Sequence, residues 1–478
     1  MNVLSVYLPQ DRRHALARGE TLPDRTRGAA LFADIAGFTP LTEALTQTLG
    51  ARRGAEELTR RINAVYDALI AEVERHGGSV ISFAGDAITC WFNARTDLTG
   101  FHAARLSGLG ASQRAVSCAF AMQAAMSAFP DLSLKVVVTT GEARRFVVGD
   151  PSIQLLDALA GETVARLATA EHLAQKGETL VDSVTADALG SQAELIEWRT
   201  DHETGERFAV VKRLQSVILS EAKNLIHEGE LLRQQSGALA FASSPQGDMN
   251  DLSALSDTQL RPWLHRAVYE RELSGQGSFL TELRPCVALF VRFVGIDYDT
   301  DEAGAQLDTF IRQAQAIVAR HDGTFLQITI GDKGSYAYIT LGALSAHEDD
   351  ACRAVKIALE LRAAASQLGF LVPLQMGLTQ GTMRVGAYGG PTRRTYGALG
   401  DEVNLAARLM STAASGEILV SGRVQYALGE QFTLEPRPPL PLKGKAEPLP
   451  TFAVTGEHQQ RAIRLQEPTY ALPMVGRQ

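Results

Sequence analysis

Short apolar runs bounded by Gly or Asp alternate along the chain with Ala-rich stretches whose apolar positions return with a period near 3.6. The pattern predicts strand, helix, hairpin, helix, strand, and the order occurs twice. "ALFADIAGF" near residue 30 is answered by "ALFVRFVGI" at 288–296, and "GGSVISFAGDA" (77–87) by "DGTFLQITIGDKG" (322–334). "RAVSCAFAMQAA" (114–125) is answered by "RAVKIALELRAA" (353–364), and "GETLVD" (177–182) by "GEILVS" (416–421). A tandem duplication of an α+β domain follows, with copies expected over 27–190 and 285–455. Around them lie an extension (1–26), a linker (191–284) and a tail (456–478). The linker combines a polar, irregular stretch at 216–250 with a helix predicted over 251–273, for which Asp257 is the candidate N-cap.

At 478 residues the chain exceeds what one core usually supports, which agrees with two domains. The net charge of -8 argues against a nucleic-acid or anionic-membrane surface. Cys90, Cys118, Cys286 and Cys352 show no paired spacing for a disulfide framework or a zinc site, so they read as core residues in a reducing compartment. No apolar run approaches the roughly 20 residues that span a bilayer, and residues 1–26 lack a secretory pattern. A cytoplasmic protein is expected.

Candidate chemistry begins at Asp34, a lone carboxylate at the end of an apolar strand, where burial is costly unless a cation or several donors satisfy it. A second carboxylate, Asp86, falls at the tip of the hairpin predicted in "GGSVISFAGDAITCWF". Two carboxylates on neighbouring strand ends suit divalent metals and phosphate chemistry. Taken singly, Asp86 also reads as a turn residue and Asp34 as a helix-terminus acid. In "AGFTP", Thr39 is a candidate N-cap with Pro40 at the first helical position, which would leave the amides of Gly37, Phe38 and Thr39 free for a phosphate. Any strand-to-helix turn offers such amides. In "YGALGDEVNLAARLM", Asn404 and Arg408 stand four apart on one helix face, which alone would also suit an exposed polar face.

Together "FADIAGFT", "SFAGDA" and "GDEVNLAARLM" resemble the class III nucleotidyl cyclases, and the tandem arrangement in one chain looks closest to the soluble adenylyl cyclases. The resemblance implies two ferredoxin-like, palm-type domains packed head to tail as a pseudo-twofold pair, sufficient as a monomer, with one composite site. There Asp34, Asp86 and the Ile35 carbonyl would hold two Mg²⁺ or Mn²⁺ ions. Asn404 would orient the ribose of ATP and Arg408 would stabilise charge at the α-phosphate. Lys135, in "LKVVVTTG", aligns with a triphosphate-binding lysine, although it also reads as a solvated strand-end lysine. The ending "ALPMVGRQ" resembles the lead-in to an ATPase module, and no GxxxxGK[ST] loop occurs in the chain.

Two departures from the family pattern stand out. The base-recognition positions read Gln327 and Gly397, the latter followed by Ala398, so ATP and GTP are not distinguished. At the symmetry-related second site Arg292 stands in the place of Asp34, whereas Asp332 matches Asp86 and Lys333 falls past the hairpin tip. In the soluble adenylyl cyclases the corresponding pocket binds bicarbonate through a lysine and an arginine. Here the lysine position holds Ser82 and Arg166 is the candidate arginine, which leaves a regulatory site for bicarbonate or another small ligand, or a structural remnant. The favoured function is an adenylate cyclase. The alternatives are a guanylate cyclase and a cyclase-like nucleotide sensor governing an ATPase module; a diguanylate cyclase is disfavoured by the lack of a GG[DE]EF signature.

Overall fold

A computed structural model describes residues 3–94, 108–215, 255–275, 282–331, 334–441 and 448–458. The first half provides strands β1 (Arg25–Ala36), β2 (Ser79–Ala84), β3 (Ala87–Asn93), β4 (Ser133–Val148), β5 (Leu156–Ala160), β6 (Thr179–Asp182), β7 (Ala193–Thr200) and β8 (Arg207–Leu214). Its helices are α1 (Gln10–Ala17), α2 (Phe38–Leu49), α3 (Ala51–Arg75), α4 (Ala111–Ala125), α5 (Glu162–Leu173) and α6 (Ser183–Leu189). Two short helices follow, α7 (Asp257–Leu260) and α8 (Arg266–Leu273). The second half provides β9 (Glu282–Phe293), β10 (Thr324–Thr329), β11 (Ser335–Leu341), β12 (Gln375–Gly389), β13 (Arg394–Leu399), β14 (Ile418–Ser421), β15 (Phe432–Leu440) and β16 (Leu449–Glu457). Its helices are α9 (Ala303–Arg320), α10 (Asp350–Ala365), α11 (Asp401–Thr412) and α12 (Gly422–Leu428).

The duplication is visible strand by strand. One sheet runs β2-β3-β1-β4-β6-β8-β7 with β5 paired to β4, and the other runs β10-β11-β9-β12-β14-β16-β15 with β13 paired to β12. Strands β7 and β8 lie in the stretch read from the sequence as linker, and they complete the first sheet. The helix predicted over 251–273 is broken by a 3₁₀ turn at Arg261–Trp263 around Pro262, because proline cannot donate its backbone amide. Ser256, not Asp257, caps α7, and its amide donates to Gln259 Oε1. The 216–250 stretch, Asp332 and Lys333 lie outside the described residues.

Both faces of each sheet are covered, which explains why β1 reads as a continuous apolar run. Leu31, Ala33 and Ile35 join a core with α3 and α4, whereas Ala30 and Phe32 face the opposite core with Val164 and Leu167 of α5. Asp34 continues this second parity at the strand's end. Strand β9 repeats the alternation, with Val287, Leu289, Val291 and Phe293 in one core and Cys286, Ala288 and Phe290 in another. Arg292 takes the Asp34 parity.

The domains grip each other reciprocally. Phe146 and Val148 of β4 and Leu156, Ala158 and Ala160 of β5 belong to the core of the second domain, while Tyr388 of β12 belongs to the core of the first. The Gly149 amide donates to Asp308 Oδ1 on α9 at 2.8 Å, and the Gly389 amide donates to Asn63 Oδ1 on α3 at 3.3 Å. These two bonds occupy matching places in the repeat, as a head-to-tail pseudo-twofold requires.

Residues ahead of β1 seal the joint. Leu4 and Leu8 pack with Leu260, Leu264 and Val268 of the stretch that carries α7 and α8 and with Ala288 and Phe290 of the second domain, and the Tyr7 hydroxyl donates to Glu272 at 2.5 Å. The Asp157 side chain on β5, only 5% exposed, lies between Arg12 at 2.9 Å and Arg145, which also holds Asp11 at 2.8 Å. Burial alone would raise the Asp157 pKa, but the Arg145 and Arg12 guanidiniums outweigh it and hold the carboxyl below its ordinary value. This group therefore stabilises the fold above about pH 4, the unfolded carboxylate range, and the contribution is lost as pH falls through the depressed folded value. Asp157→Asn leaves two buried guanidiniums short of charge, so urea denaturation at pH 7 is expected to show a loss of about 3–5 kcal/mol, with the gap to wild type narrowing in acid.

Candidate functional site

Each predicted carboxylate is placed by a local backbone device. Asp34 pairs across the sheet with Ala87 on one side and Lys135 on the other. Strands β2 and β3 are joined by only Gly85 and Asp86, and Gly85 takes a φ of 66°, a conformation that favours glycine. The Ile35 amide donates to the Asp86 carbonyl at 3.1 Å, which ties the hairpin tip to the end of β1. Helix α2 starts at Phe38, two residues ahead of the expected first position at Pro40, because Gly37 with a φ of 112° makes the turn that Thr39 was expected to cap. The amides of Gly37, Phe38 and Thr39 still fall at its N-terminal end, and Pro40 carries none.

The charges are unevenly satisfied. Lys135 Nζ lies 3.1 Å from Asp34 Oδ2 and 3.1 Å from Glu171 Oε1 on α5. Burial disfavours the ammonium, but the two carboxylates outweigh that and raise its pKa. Among the described residues Asp86 has no such partner: burial first, then the Asp34 charge, push its carboxyl up to about 7, against smaller opposing effects of its own backbone hydrogen bond and of Lys135. The pair is thus short of positive charge. Among the described residues no group of three or more His, Cys, Asp or Glu side chains gathers to form a metal cage.

A cavity of about 320 Å³ opens between the domains, lined by Phe38, Ile62, Tyr66 and Asp86 of the first and by Arg384 and Asn404 of the second. A neighbouring cavity of about 190 Å³ is lined by Asp34, Asp86, Glu171 and Ala168 together with Gly331 and Tyr336 of the second domain. Asp86 lines both. The structure thus brings Asp86 and Asn404 together, and Asp34 faces the smaller space. Arg408 follows Asn404 by one turn of α11 and is exposed.

The base-recognition positions meet around two tyrosines. Gln327 is the cross-strand partner of Tyr338, whose hydroxyl donates to the Ala398 carbonyl at 3.1 Å. A Cβ at Gly397 would come within 3.0 Å of the Tyr388 ring, which explains the glycine there.

The symmetry-related site has changed its chemistry. Arg292 pairs with Tyr336 and Gln375 where Asp34 pairs with Ala87 and Lys135, and its Nη1 donates to Gln375 Oε1 at 2.6 Å. Ser82 and Gln327 each follow the irregularity in their hairpins, so they are equivalent positions. Helices α5 and α11 both follow a glycine, Gly161 or Gly400, and each glycine precedes the next strand, at Thr179 or Ile418, by 18 residues. The register is ungapped. Thr169 therefore matches Arg408, and Arg166 matches Leu405 instead. Arg166 is occupied by Asp182 at 3.1 Å, Glu162 at 2.7 Å and the Thr140 carbonyl at 2.9 Å. Its donors thus hold the domain's own loop and helix.

Residues 301–456 match the adenylate and guanylate cyclase catalytic domain family. That match lies in the second half of the chain. Adenylate cyclase type 10 of Mus musculus is 22% identical over 485 residues, covering 96% of this chain and 28% of that protein. Adenylate cyclase 1 of Rhizobium meliloti is 31% identical over 163 residues, 33% of this chain and 24% of that protein. The chain thus spans about a quarter of the length of the curated relatives it matches. A class III adenylyl cyclase-like ATP-binding protein from Pseudomonas aeruginosa has a crystal structure that aligns over 87% of this chain and 91% of its own, with a TM-score of 0.55 and 14% identity. That alignment extends the cyclase fold to both halves. Among the described residues no helix is long and apolar enough to cross a membrane.

Three aromatic residues of the cyclase pair were not singled out from the sequence. Tyr66, Phe83 and Tyr388 form a ring cluster with centroids 5.4 to 6.0 Å apart, across the domain boundary. The Tyr66 hydroxyl donates to the Gly85 carbonyl at 2.8 Å and so fixes the turn that carries Asp86. Their signal is a lone tyrosine on the apolar stripe of α3, which reads as ordinary core. Tyr66→Phe is expected to lower turnover several-fold with a stability loss of about 1 kcal/mol, and full activity in a kinetic assay would remove the positioning role.

Proposed function

We propose that the chain converts ATP to 3′,5′-cyclic AMP and pyrophosphate at one composite site between its two domains. The observation that carries this reading is the meeting of Asp86, from the carboxylate-bearing half, with Asn404, from the other half, in one interdomain cavity. Support also comes from the matched cyclase family and the adenylate cyclases among the relatives.

The residues fit divalent cations. The donors are hard oxygens, two carboxylates and the Ile35 carbonyl, and Lys135 already stands at Asp34 as a substitute cation. With only two carboxylates, substrate phosphate and water would complete the coordination, as suits Mg²⁺ or Mn²⁺. When bound, two such ions would lower the pKa of the ribose 3′-OH and neutralise charge on the leaving pyrophosphate. The first turn of α2 would seat the triphosphate through the Gly37, Phe38 and Thr39 amides, and Lys135, released from Asp34, would reach a phosphate oxygen. Asn404 would hold the ribose so that O3′ lies in line with the bond to the β-phosphate. As the O3′–P bond forms, the 3′-OH would give up its proton to water, and the bond from the α-phosphorus to the bridging oxygen would break with its electron pair leaving on pyrophosphate. Arg408, exposed on α11 one turn beyond Asn404, would meet the charge developing at the α-phosphate. Gln327, Gly397 and Ala398 would meet the base.

A second reading is a nucleotide-binding sensor without turnover. It is favoured by the Lys135–Asp34 pair, which already neutralises a required carboxylate, and by the Pseudomonas aeruginosa protein described as cyclase-like and ATP-binding. Purified chain incubated with Mn²⁺ and ATP or GTP is expected to yield cyclic AMP from ATP. Asp34→Asn is expected to cut the rate more than about 100-fold, beyond the usual loss on removing a residue that merely supports a metal ligand, with an unchanged circular dichroism spectrum. Nucleotide binding without product from either purine would instead establish the sensor.

A further inference from the structure

Arg384 crosses the domain interface from β12, is 5% exposed, and lines the cavity that holds Asp86 and Asn404. Its Nε donates to Thr59 Oγ1 on α3 at 2.9 Å, and its remaining contact is with the face of the Tyr388 ring. Nη2 has no hydrogen-bond partner, and no carboxylate pairs with the guanidinium among the described residues. Burial pulls its pKa down to about 10, which leaves it charged at neutral pH. A buried guanidinium without a counter-charge is costly to the fold.

The repeat supplies an internal control. Arg144 lies nine residues after Lys135 on β4, as Arg384 lies nine after Gln375 on β12, and both are buried at the domain interface. Arg144 is fully occupied. Its Nε and Nη2 donate to Asp24 at 2.8 and 2.6 Å, and its Nη1 donates to the Tyr298 and Thr300 carbonyls at 3.0 and 2.5 Å. The same fold position therefore carries a neutralised arginine on one side of the pseudo-twofold. On the other it carries an arginine with donors to spare beside a cavity.

We propose that Arg384 is an anion-binding residue of the interdomain cavity and that its counter-charge is a polyphosphate oxygen of the bound nucleotide. This rests on the cyclase reading of the cavity for its nucleotide. It assigns the second domain a phosphate contact facing the amides of α2, where Phe38 lines the same space. A planar guanidinium suits the task, since its two Nη groups can meet two oxygens at once.

The test titrates the full chain, in Mn²⁺, with 3′-deoxy-ATP, inorganic tripolyphosphate and adenosine. The first cannot cyclise because it lacks the nucleophile. Arg384→Met is expected to weaken 3′-deoxy-ATP and tripolyphosphate by about tenfold or more while leaving adenosine unchanged, the usual scale for a charged hydrogen bond. The Tm of the ligand-free variant should not fall, because the change removes an unpaired charge. Arg384→Lys, which keeps the charge but loses the fork, should recover part of the affinity and serves as the comparison if the methionine variant does not fold. Equal loss for adenosine and 3′-deoxy-ATP, or undiminished binding of 3′-deoxy-ATP, would overturn the proposal. Arg384-dependent binding of tripolyphosphate alone, without 3′-deoxy-ATP, would overturn it as well, by making a free polyphosphate the ligand. Arg384-dependent binding of 3′-deoxy-ATP in a chain that makes no cyclic nucleotide would support it and remove the turnover reading.

Discussion

The molecule depends on the exchange of hairpin side chains between its two domains. Phe146 and Val148 leave the first sheet to complete the second core, and Tyr388 returns the favour from β12. Neither core is whole without its partner, so the interface has the apolar character of a domain interior. Two strand ends, a hairpin tip and the N-terminal part of α11 border the two cavities that lie between the domains.

Duplication followed by divergence is recorded in the pairing of the sheets. Asp34 facing Lys135 and Arg292 facing Gln375 are one backbone position with opposite electrostatics. A carboxylate beside a lysine can release the lysine and accept another cation. An arginine bonded to an amide has no comparable exchange, so the two equivalent positions differ in how readily they can accept a cation. Arg144 and Arg384 diverged in the reverse sense, the first neutralised by Asp24 and the second left with unused donors.

Much of this was legible in the chain. The repeat, the strand that carries Asp34, the two-residue turn at Asp86 and the Asn404–Arg408 helix face all follow from local pattern, because each is set by residues close in sequence. What escaped depends on distance. Tyr66 reads as one more apolar position of α3 until its hydroxyl is seen at the Gly85 carbonyl. Arg384 reads as a strand residue until the opposite domain is in place. The bonds of Arg166 to Asp182 and to the Thr140 carbonyl likewise lie beyond a comparison of short helices in sequence. Strands β7 and β8, short and largely polar on one side, resemble linker until β6 gives them an edge to join.

The residues ahead of β1 carry a consequence for how the chain is made. Leu4 and Leu8 come early in the sequence, yet they are buried among residues from Leu255 to Met410. At ribosomal rates of about 5–20 residues per second, those partners appear on the order of tens of seconds later. The segment is therefore synthesised well ahead of the residues it packs against, and the interdomain joint can close only once the second half has emerged.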